Sequence, residues 1–212
     1  AAVLVALAGE YAYRQGWLTG LWPGKSFVKP GVTRSDAVAH CDALFRYGEQ
    51  TKDDALLADI AGAGAREPEA LHVWWLGQSG FLLECAGARL LLDPYLSDSL
   101  TKKYAATDKP HVRMTGRCID PACLTGVKLV TASHLHTDHL DAETLRPLAF
   151  ANAGIDLLLP HPIMEEARSR LGDAPVNRIG LDAGESVTAH RWSITAVPAA
   201  HNAPKRHWPS SS

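Results

Sequence analysis

The hydrophobic pattern of the chain changes at Leu71, and the pattern that follows limits the folds available to it. Three short runs of β-forming residues come first, at residues 72–76, 81–85 and 89–92, and two tight turns join them. This spacing is typical of an antiparallel meander. Strand-like and helix-like segments then alternate, which indicates mixed α/β layers with helices packed over a sheet.

The alternating part predicts short buried strands and amphipathic helices. The predicted strands lie at residues 128–132, 155–159, 177–180, 186–190 and 192–197, and the predicted helices lie at residues 142–150 and 162–171. Residues 94–126, which connect the meander to this part, have no strong period. We expect them to form a loop over the carboxyl ends of the strands.

The residues before Leu71 carry no recognisable motif. Ser35 and Thr51 are typical helix-capping residues, and they predict helices at residues 35–47 and 51–63. The apolar run at residues 1–8 has two interpretations, the remnant of a signal or anchor or the middle of a helix in a soluble domain. We therefore divide the chain into a partly helical segment of residues 1–70 and a domain of residues 71–212.

Composition excludes several classes of protein. Hydrophobic residues make up 46% of the 212 residues and charged residues 21%, an ordinary globular balance that excludes a disordered chain. The formal net charge of −2 argues against a general nucleic-acid-binding surface. No run approaches the roughly 20 apolar residues that span a bilayer, so we expect no membrane helix in this sequence.

The cysteines bear on the redox compartment. Cys41, Cys85, Cys118 and Cys123 form no Cys-x-x-Cys pair, which argues against both a disulfide framework and a cysteine zinc site. Free thiols favour a reducing compartment, so we expect a cytoplasmic protein. A start before Ala1 that carries a signal or anchor would change this expectation.

One short segment holds a concentration of metal-ligating side chains, His134, His136, Asp138 and His139. It directly follows a predicted buried strand, and the loops at such strand ends are where open α/β sheets build their sites. In extended backbone, His134 and His136 point to the same side, and the other two follow where the chain bends into a helix. Four side chains already complete the coordination of one tetrahedral ion. If further ligands from other parts of the chain join them, two adjacent ions fit better than one. Hydrogen-bonded histidines without a metal are the weaker alternative.

This segment and its surroundings resemble the metallo-β-lactamase superfamily, whose signature is His-x-His-x-Asp-His after a strand. The segments WLGQSGFLL (75–83), LLDP (91–94) and TASHLHTDHLD (131–141) are similar to the branch that contains L-ascorbate-6-phosphate lactonase. The enzyme N-acylphosphatidylethanolamine phospholipase D belongs to a nearby branch. The resemblance covers residues 71–212 and implies an αββα sandwich.

The resemblance also implies roles for individual residues. His134, His136 and His201 would bind the first metal, and Asp138 and His139 the second. Asp93 would orient the ligand histidines by hydrogen bonding without binding a metal itself. A turn or helix-cap role before Pro94 explains this aspartate equally well. The remaining histidines after residue 70 receive no role: His72, His111, His161, His190 and His207.

Two further ligands of the family have no counterpart in this sequence. A complete site needs a bridging aspartate and a final histidine, but the 11 residues after His201 contain no carboxylate, and His207 follows too closely. We therefore expect five of seven ligand positions and a sandwich whose C-terminal part is missing. On this interpretation the chain is truncated at both ends.

The activity implied is that of a metal-dependent hydrolase with two divalent ions, zinc or manganese. Asp138 would orient a metal-activated water for attack on a lactone or ester-type bond. Two alternatives remain open. The chain could be a truncated, non-catalytic fragment that binds one metal through His134, His136 and His201, or a phosphodiesterase of the same fold.

The predicted loop at residues 94–126 bears on the substrate. Between Leu96 and Asp120 it holds five basic and three acidic residues, and this excess favours a small anionic substrate, phosphorylated substrates included. A solvated loop with ordinary lysines explains the same residues at least as well. We expect no nucleic-acid partner, and the sequence leaves the assembly state open, a homo-oligomer included.

Overall fold

A computed structural model describes residues 2–7, 51–108, 111 and 115–199 of the chain. The predicted helix at residues 35–47 lies outside these residues, as do Cys41, His201 and His207. In the described part, Cys85, Cys118 and Cys123 are free thiols, as predicted. None of the helices described there is both long and apolar enough to cross a membrane.

The larger of the two sheets formed by the described residues has six strands in the order β2-β3-β4-β5-β6-β7. Its strands are β2 (His72–Gly77), β3 (Gly80–Cys85), β4 (Ala88–Leu92), β5 (Val127–Thr131), β6 (Ile155–Pro160) and β7 (Val176–Leu181). The first three pair antiparallel, and β4 to β7 pair parallel. The prediction of a mixed α/β fold, with a meander followed by strand–helix alternation, is confirmed.

The second sheet has three antiparallel strands in the order β1-β9-β8. They are β1 (Ala2–Leu7), β8 (Ser186–Ala189) and β9 (Trp192–Ala199). The backbone of β1 pairs with β9 from Ala2 opposite Ala199 to Leu7 opposite Ile194. The helical interpretation of the apolar run at residues 1–8 is therefore wrong for residues 2–7. These residues form a strand instead, because they pair with β9, which lies far away in the sequence.

In the part of the chain that the structure describes, four α-helices and two short 3₁₀ turns accompany the strands. They are α1 (Asp53–Arg66), α2 (Ser99–Tyr104), α3 (Ala142–Ala151), α4 (Met164–Leu171) and the 3₁₀ turns Pro121–Cys123 and His161–Ile163. The N-cap of α1 is Lys52, so the expectation that Thr51 caps this helix is wrong. Its first turn is held instead by the Asp53 N–H, which donates to the Cys118 carbonyl over 2.9 Å.

The hydrophobic core has two layers, one on each face of the six-stranded sheet. Alternate residues of β3 belong to different layers. Leu82 packs in the layer on the helix side, whereas Leu83 packs in the layer toward the second sheet, together with Ile194 of β9. Leu56 and Ile60 of α1 lie in the helix-side layer. The division of the chain at residue 70 stays a prediction, although α1 shares the core of the later residues.

Parallel pairing determines where the chemistry lies. Because β4 to β7 run in one direction, their carboxyl ends meet at one edge of the sheet. Asp93 follows β4, Ser133 and His134 follow β5, His161 follows β6 and Asp182 follows β7. Side chains from four separate parts of the sequence are thus brought to a single edge.

Candidate metal centre

The loop after β5 is a compact turn that gathers the motif histidines. The backbone N–H groups of His139 and Leu140 both donate to the His136 carbonyl, over 2.9 Å and 2.8 Å. The His134 ring lies with its centroid 4.7 Å from that of His136 and 3.9 Å from that of His139. The three imidazoles therefore form one cluster at the sheet edge.

Asp93 holds this loop from behind. Its carboxylate accepts hydrogen bonds from the Thr131 hydroxyl over 2.6 Å, from the Ser133 N–H over 3.1 Å, and from the Ser133 hydroxyl. His139 Nδ1 lies 2.6 Å from Asp93 Oδ2, a distance at which its N–H donates. The backbone of Asp93 has a φ of 39°, a left-handed conformation that non-glycine residues adopt mainly under local constraint.

The electrostatics of Asp93 follow from these donors. Burial by itself would raise the pKa of this carboxyl, because the charged form loses its hydration. Hydrogen bonds from His139, Ser133 and Thr131 favour the charged form more strongly, so the pKa of Asp93 lies below its usual value. The carboxylate is therefore ionised and available to the imidazole at neutral pH.

This contact determines which nitrogen of His139 faces the rest of the motif. With Nδ1 engaged by Asp93, Nε2 points toward Asp138, whose Oδ2 is 3.7 Å away. A histidine that donates one ring N–H to a carboxylate and presents the other nitrogen is the usual form of a metal-ligating imidazole. The donor set of three imidazoles and one carboxylate therefore fits a divalent transition ion.

The motif residues lie close together in the structure, but their donor atoms do not all converge on one position. His136 is exposed, whereas His134, Asp138 and His139 are half-buried. Within the described ranges, the three ligand side chains whose donor atoms all lie within 4.8 Å of one another are His161, Asp182 and Glu185 rather than residues of the motif. The ligand roles of His134, His136, Asp138 and His139 stay predictions, as does that of His201.

Sequence reasoning missed Ser133 and Ser79. The Ser133 hydroxyl contacts Asp93 and lies 3.2 Å from His134 Nδ1 and 3.3 Å from His139 Nδ1. The Ser79 hydroxyl, in the turn between β2 and β3, lies within 3.2 Å of the Asp93 carbonyl and 3.3 Å of the Asp138 carbonyl. No local sequence signal predicts the contact of Ser133 with Asp93 or that of Ser79 with Asp138, since each joins segments far apart in the chain.

Asp141 was missed as well, although a signal for it exists. It is the N-cap of α3, and its carboxylate accepts hydrogen bonds from Ser97 and Thr144 over 2.6 Å and from Ser99 over 2.9 Å. An aspartate directly before a predicted helix is a typical capping residue. These bonds fix the start of α3, and with it the end of the motif loop, against the segment after β4.

The basic residues of the predicted loop are only partly described. Lys102 forms an ion pair with Glu143 over 2.7 Å, and Lys103 lies with its nitrogen 5.3 Å from the centre of the Tyr104 ring. Lys109 and Arg113 lie outside the described residues. The positive charge of Lys102 is therefore shared with a carboxylate, which weakens the expectation of an anionic substrate.

Comparison with known proteins gives a family match over most of the chain. Residues 72–211 match the model of the β-lactamase superfamily domain. An uncharacterised protein of Mycobacterium tuberculosis (strain ATCC 25618 / H37Rv) is 33% identical over 132 residues, which is 62% of this chain and 34% of that protein. The chain thus spans about a third of the length of this curated relative.

A second relative and a solved structure are also similar. A protein of Opitutus terrae, named a UPF0173 metal-dependent hydrolase, is 31% identical over 132 residues, which is 62% of this chain and 48% of that protein. The metallo-β-lactamase fold protein YhfI from Bacillus subtilis is 22% identical, with a TM-score of 0.37 over 56% of this chain and 44% of that one.

Proposed function

The chain belongs to the β-lactamase superfamily, and on that premise we propose that it carries the metal-binding loop of a metal-dependent hydrolase. One observation supports this proposal above the others: Asp93 fixes Nδ1 of His139, so that Nε2 faces Asp138 beside the other motif imidazoles. The Opitutus terrae relative is named a metal-dependent hydrolase, which is consistent with this assignment.

The proposed ligand set has two parts. His134 and His136 would hold one ion, joined by His201, and Asp138 and His139 would hold the other. Bound divalent ions would supply an acidic water, with its pKa lowered to roughly 7, and would polarise a carbonyl or phosphoryl oxygen. Imidazole and carboxylate donors suit zinc or manganese.

The protein's own groups would orient and protect the reaction. Asp138 would accept a hydrogen bond from the attacking water and set its direction. Asp93 keeps the His139 imidazole in one orientation through the hydrogen bond to Nδ1. Its negative charge would also offset the positive charge of an ion bound at Nε2. Ser133 would limit rotation of the rings through its contacts with Asp93 and with Nδ1 of His134 and His139.

His201 would reach the site from β9. Ala196 of this strand lines a small cleft together with Ala132 and Ser133 of the loop after β5. The middle of β9 therefore lies directly behind the motif loop, and the strand ends at Ala199, two positions before His201. This placement supports the proposed role of His201 as a ligand.

We further propose a small molecule with a lactone or ester-type bond as the substrate. The resemblance of the motif segments to the lactonase branch supports this choice, and the excess of basic residues between Leu96 and Asp120, although weakened by the ion pair of Lys102, supports a phosphorylated group. We propose that the protein acts in the cytoplasm, where its free thiols stay reduced.

The test removes the first ion's histidines. The His134→Ala/His136→Ala double variant, the unchanged chain and a His190→Gln control would be loaded with zinc or manganese, desalted and measured by plasma mass spectrometry. Each would then be assayed on lactones, acyl esters and phosphodiesters. We expect the double variant to keep fewer metal equivalents than the unchanged chain, because the ion held by these two histidines is lost, and to lose hydrolysis with it. The control should keep both.

Other results would contradict the proposal in distinct ways. Full metal occupancy in the double variant would overturn the ligand assignment. Metal binding by the unchanged chain, with turnover of none of these substrates, would refute the hydrolase activity and favour a non-catalytic metal-binding role. Turnover of phosphodiesters alone would replace the lactone or ester assignment.

A further inference from the structure

Three ligand side chains outside the motif come together where β6 and β7 end. We propose that His161, Asp182 and Glu185 form a separate divalent-cation site that ties these strand ends to β9. Their donor atoms all lie within 4.8 Å of one another. All three side chains are exposed, so an ion would exchange freely with solvent.

Parallel pairing places the first two of these residues side by side. Pro160, the last residue of β6, lies opposite Leu181, the last residue of β7. His161, which directly follows β6, is therefore beside Asp182, which directly follows β7. His161 Nδ1 lies 3.3 Å from Asp182 Oδ2. This proximity is a consequence of the sheet register and not of a flexible loop.

The third ligand is held in place by a tight turn. The Glu185 N–H donates to the Asp182 carbonyl over 3.0 Å, and the Asp182 N–H donates to the Glu185 carboxylate over 2.7 Å. Gly184 has a φ of 93°, a conformation that this turn requires and that glycine adopts without strain. The Glu185 side chain thus folds back toward Asp182 instead of extending into solvent.

Gly180 provides the space in which the His161 ring lies. A Cβ atom at residue 180 would lie 2.4 Å from His161 Cδ2 and 2.8 Å from Nε2, closer than real contacts allow. The imidazole therefore lies directly on the backbone of β7, and only glycine leaves room for it.

The donor chemistry determines which ion would bind. One imidazole and two carboxylates suit zinc, manganese and similar divalent ions, with further positions left for water. The turn that carries two ligands also pairs with β9, since Gly184 N–H donates to the Ala196 carbonyl over 2.8 Å and Ala196 N–H donates to that of Glu185 over 2.9 Å. A bound ion would therefore join β6, β7 and β9.

The experiment measures zinc binding in the full chain with His134→Ala and His136→Ala, so that its result does not depend on the proposed function. Calorimetric titration with zinc chloride would compare this background with added Asp182→Asn or Glu185→Gln. We expect one zinc equivalent in the background and at least tenfold weaker binding in each triad variant. Both substitutions keep the side-chain shape, and circular dichroism would verify that each variant is folded.

A matched control is available in the same sheet. Asp156 lies 2.9 Å from His190 Nε2, a similar histidine–carboxylate pair that belongs to no three-ligand group in the described part of the chain. Asp156→Asn should leave the zinc equivalent unchanged, whereas Gly180→Ala should weaken it by displacing the His161 ring. Absence of zinc binding in the background, or zinc binding in both triad variants as tight as in the background, would overturn the site.

Discussion

Asp93 and Asp141 are two buried carboxylates on either side of the motif loop, and the groups that donate to them differ. Asp93 contacts the His139 imidazole together with two hydroxyls and a backbone N–H. Asp141 contacts three hydroxyls and a backbone N–H, and among the described residues no ionisable side chain forms a hydrogen bond with it. Their exposed fractions, 8% and 1%, are both small, so burial does not separate their roles.

The donors indicate what each carboxylate does. Asp93 acts on a predicted metal ligand, and we expect its removal to affect metal binding more than folding. Asp141 joins the start of α3 to Ser97 and Ser99 after β4, and we expect its removal to affect folding more than metal binding. The following substitutions test this separation, from the largest expected effect to the smallest.

Asp141→Ala should cause the largest loss of stability. The change removes the acceptor for the Ser97 and Thr144 hydroxyls, both buried, and also removes a helix cap. We expect the free energy of unfolding to fall by about 3–4 kcal/mol, measured by urea denaturation. Asp141→Asn, which keeps one acceptor oxygen, should lose about half as much. A loss below about 1 kcal/mol would mean that Asp141 does not hold the loop.

Asp93→Ala should lower zinc affinity by about 10–100-fold, because His139 loses the carboxylate that orients it. The free energy of unfolding should fall by about 2 kcal/mol, less than for Asp141→Ala, since two of the freed donors, Ser133 and His139, are only half-buried. Zinc affinity is measured by competition with a chromophoric chelator. Asp93→Asn preserves the shape and one acceptor; unchanged zinc affinity in both variants would contradict the proposed support of His139.

Ser97→Ala should lower the free energy of unfolding by about 1–1.5 kcal/mol and leave zinc affinity unchanged. The Ser97 hydroxyl donates to Asp141 over 2.6 Å in a fully buried position, so its loss leaves the carboxylate with one donor fewer. Thermal and urea unfolding measure the stability, and chelator competition measures zinc. A change in zinc affinity as large as that of Asp93→Ala would show that the two networks are not separable.

Ser133→Ala should have the smallest effect on stability, about 0.5–1 kcal/mol, because the Ser133 backbone N–H still donates to Asp93. Zinc affinity should nevertheless fall by about three- to fivefold, the equivalent of about 1 kcal/mol. The same two measurements apply. A stability loss equal to that of Ser97→Ala, with no change in zinc affinity, would assign Ser133 a scaffolding role like that of Ser97.

Much of the fold could be predicted from the sequence, because the spacing of apolar residues within a short segment indicates whether that segment forms a strand or a helix. Each predicted strand after Leu71 overlaps a strand of the structure, and its ends differ by one or two residues where ladder pairing extends it, as at Ala199 in β9. The run at residues 1–8 could not be assigned in this way. A short apolar segment fits a buried strand or a helix equally well, and only pairing with β9 decides between them.

The sites divide in the same manner. The motif was visible because its four predicted ligand side chains lie within six residues. The group of His161, Asp182 and Glu185 was not visible, since no spacing rule joins His161 to a turn some 20 residues later. It arises from the register of β6 and β7, which places the two strand ends side by side.

The sequence by itself determined the types of donor in the motif, their order, and their position after a buried strand. Only the tertiary structure decided that Asp93 contacts His139, although the two are 46 residues apart. The physical reason is the parallel pairing of β4 with β5, which places the residues after both strands at one sheet edge. Burial there strengthens the hydrogen bonds of Asp93, because few water molecules compete with its donors.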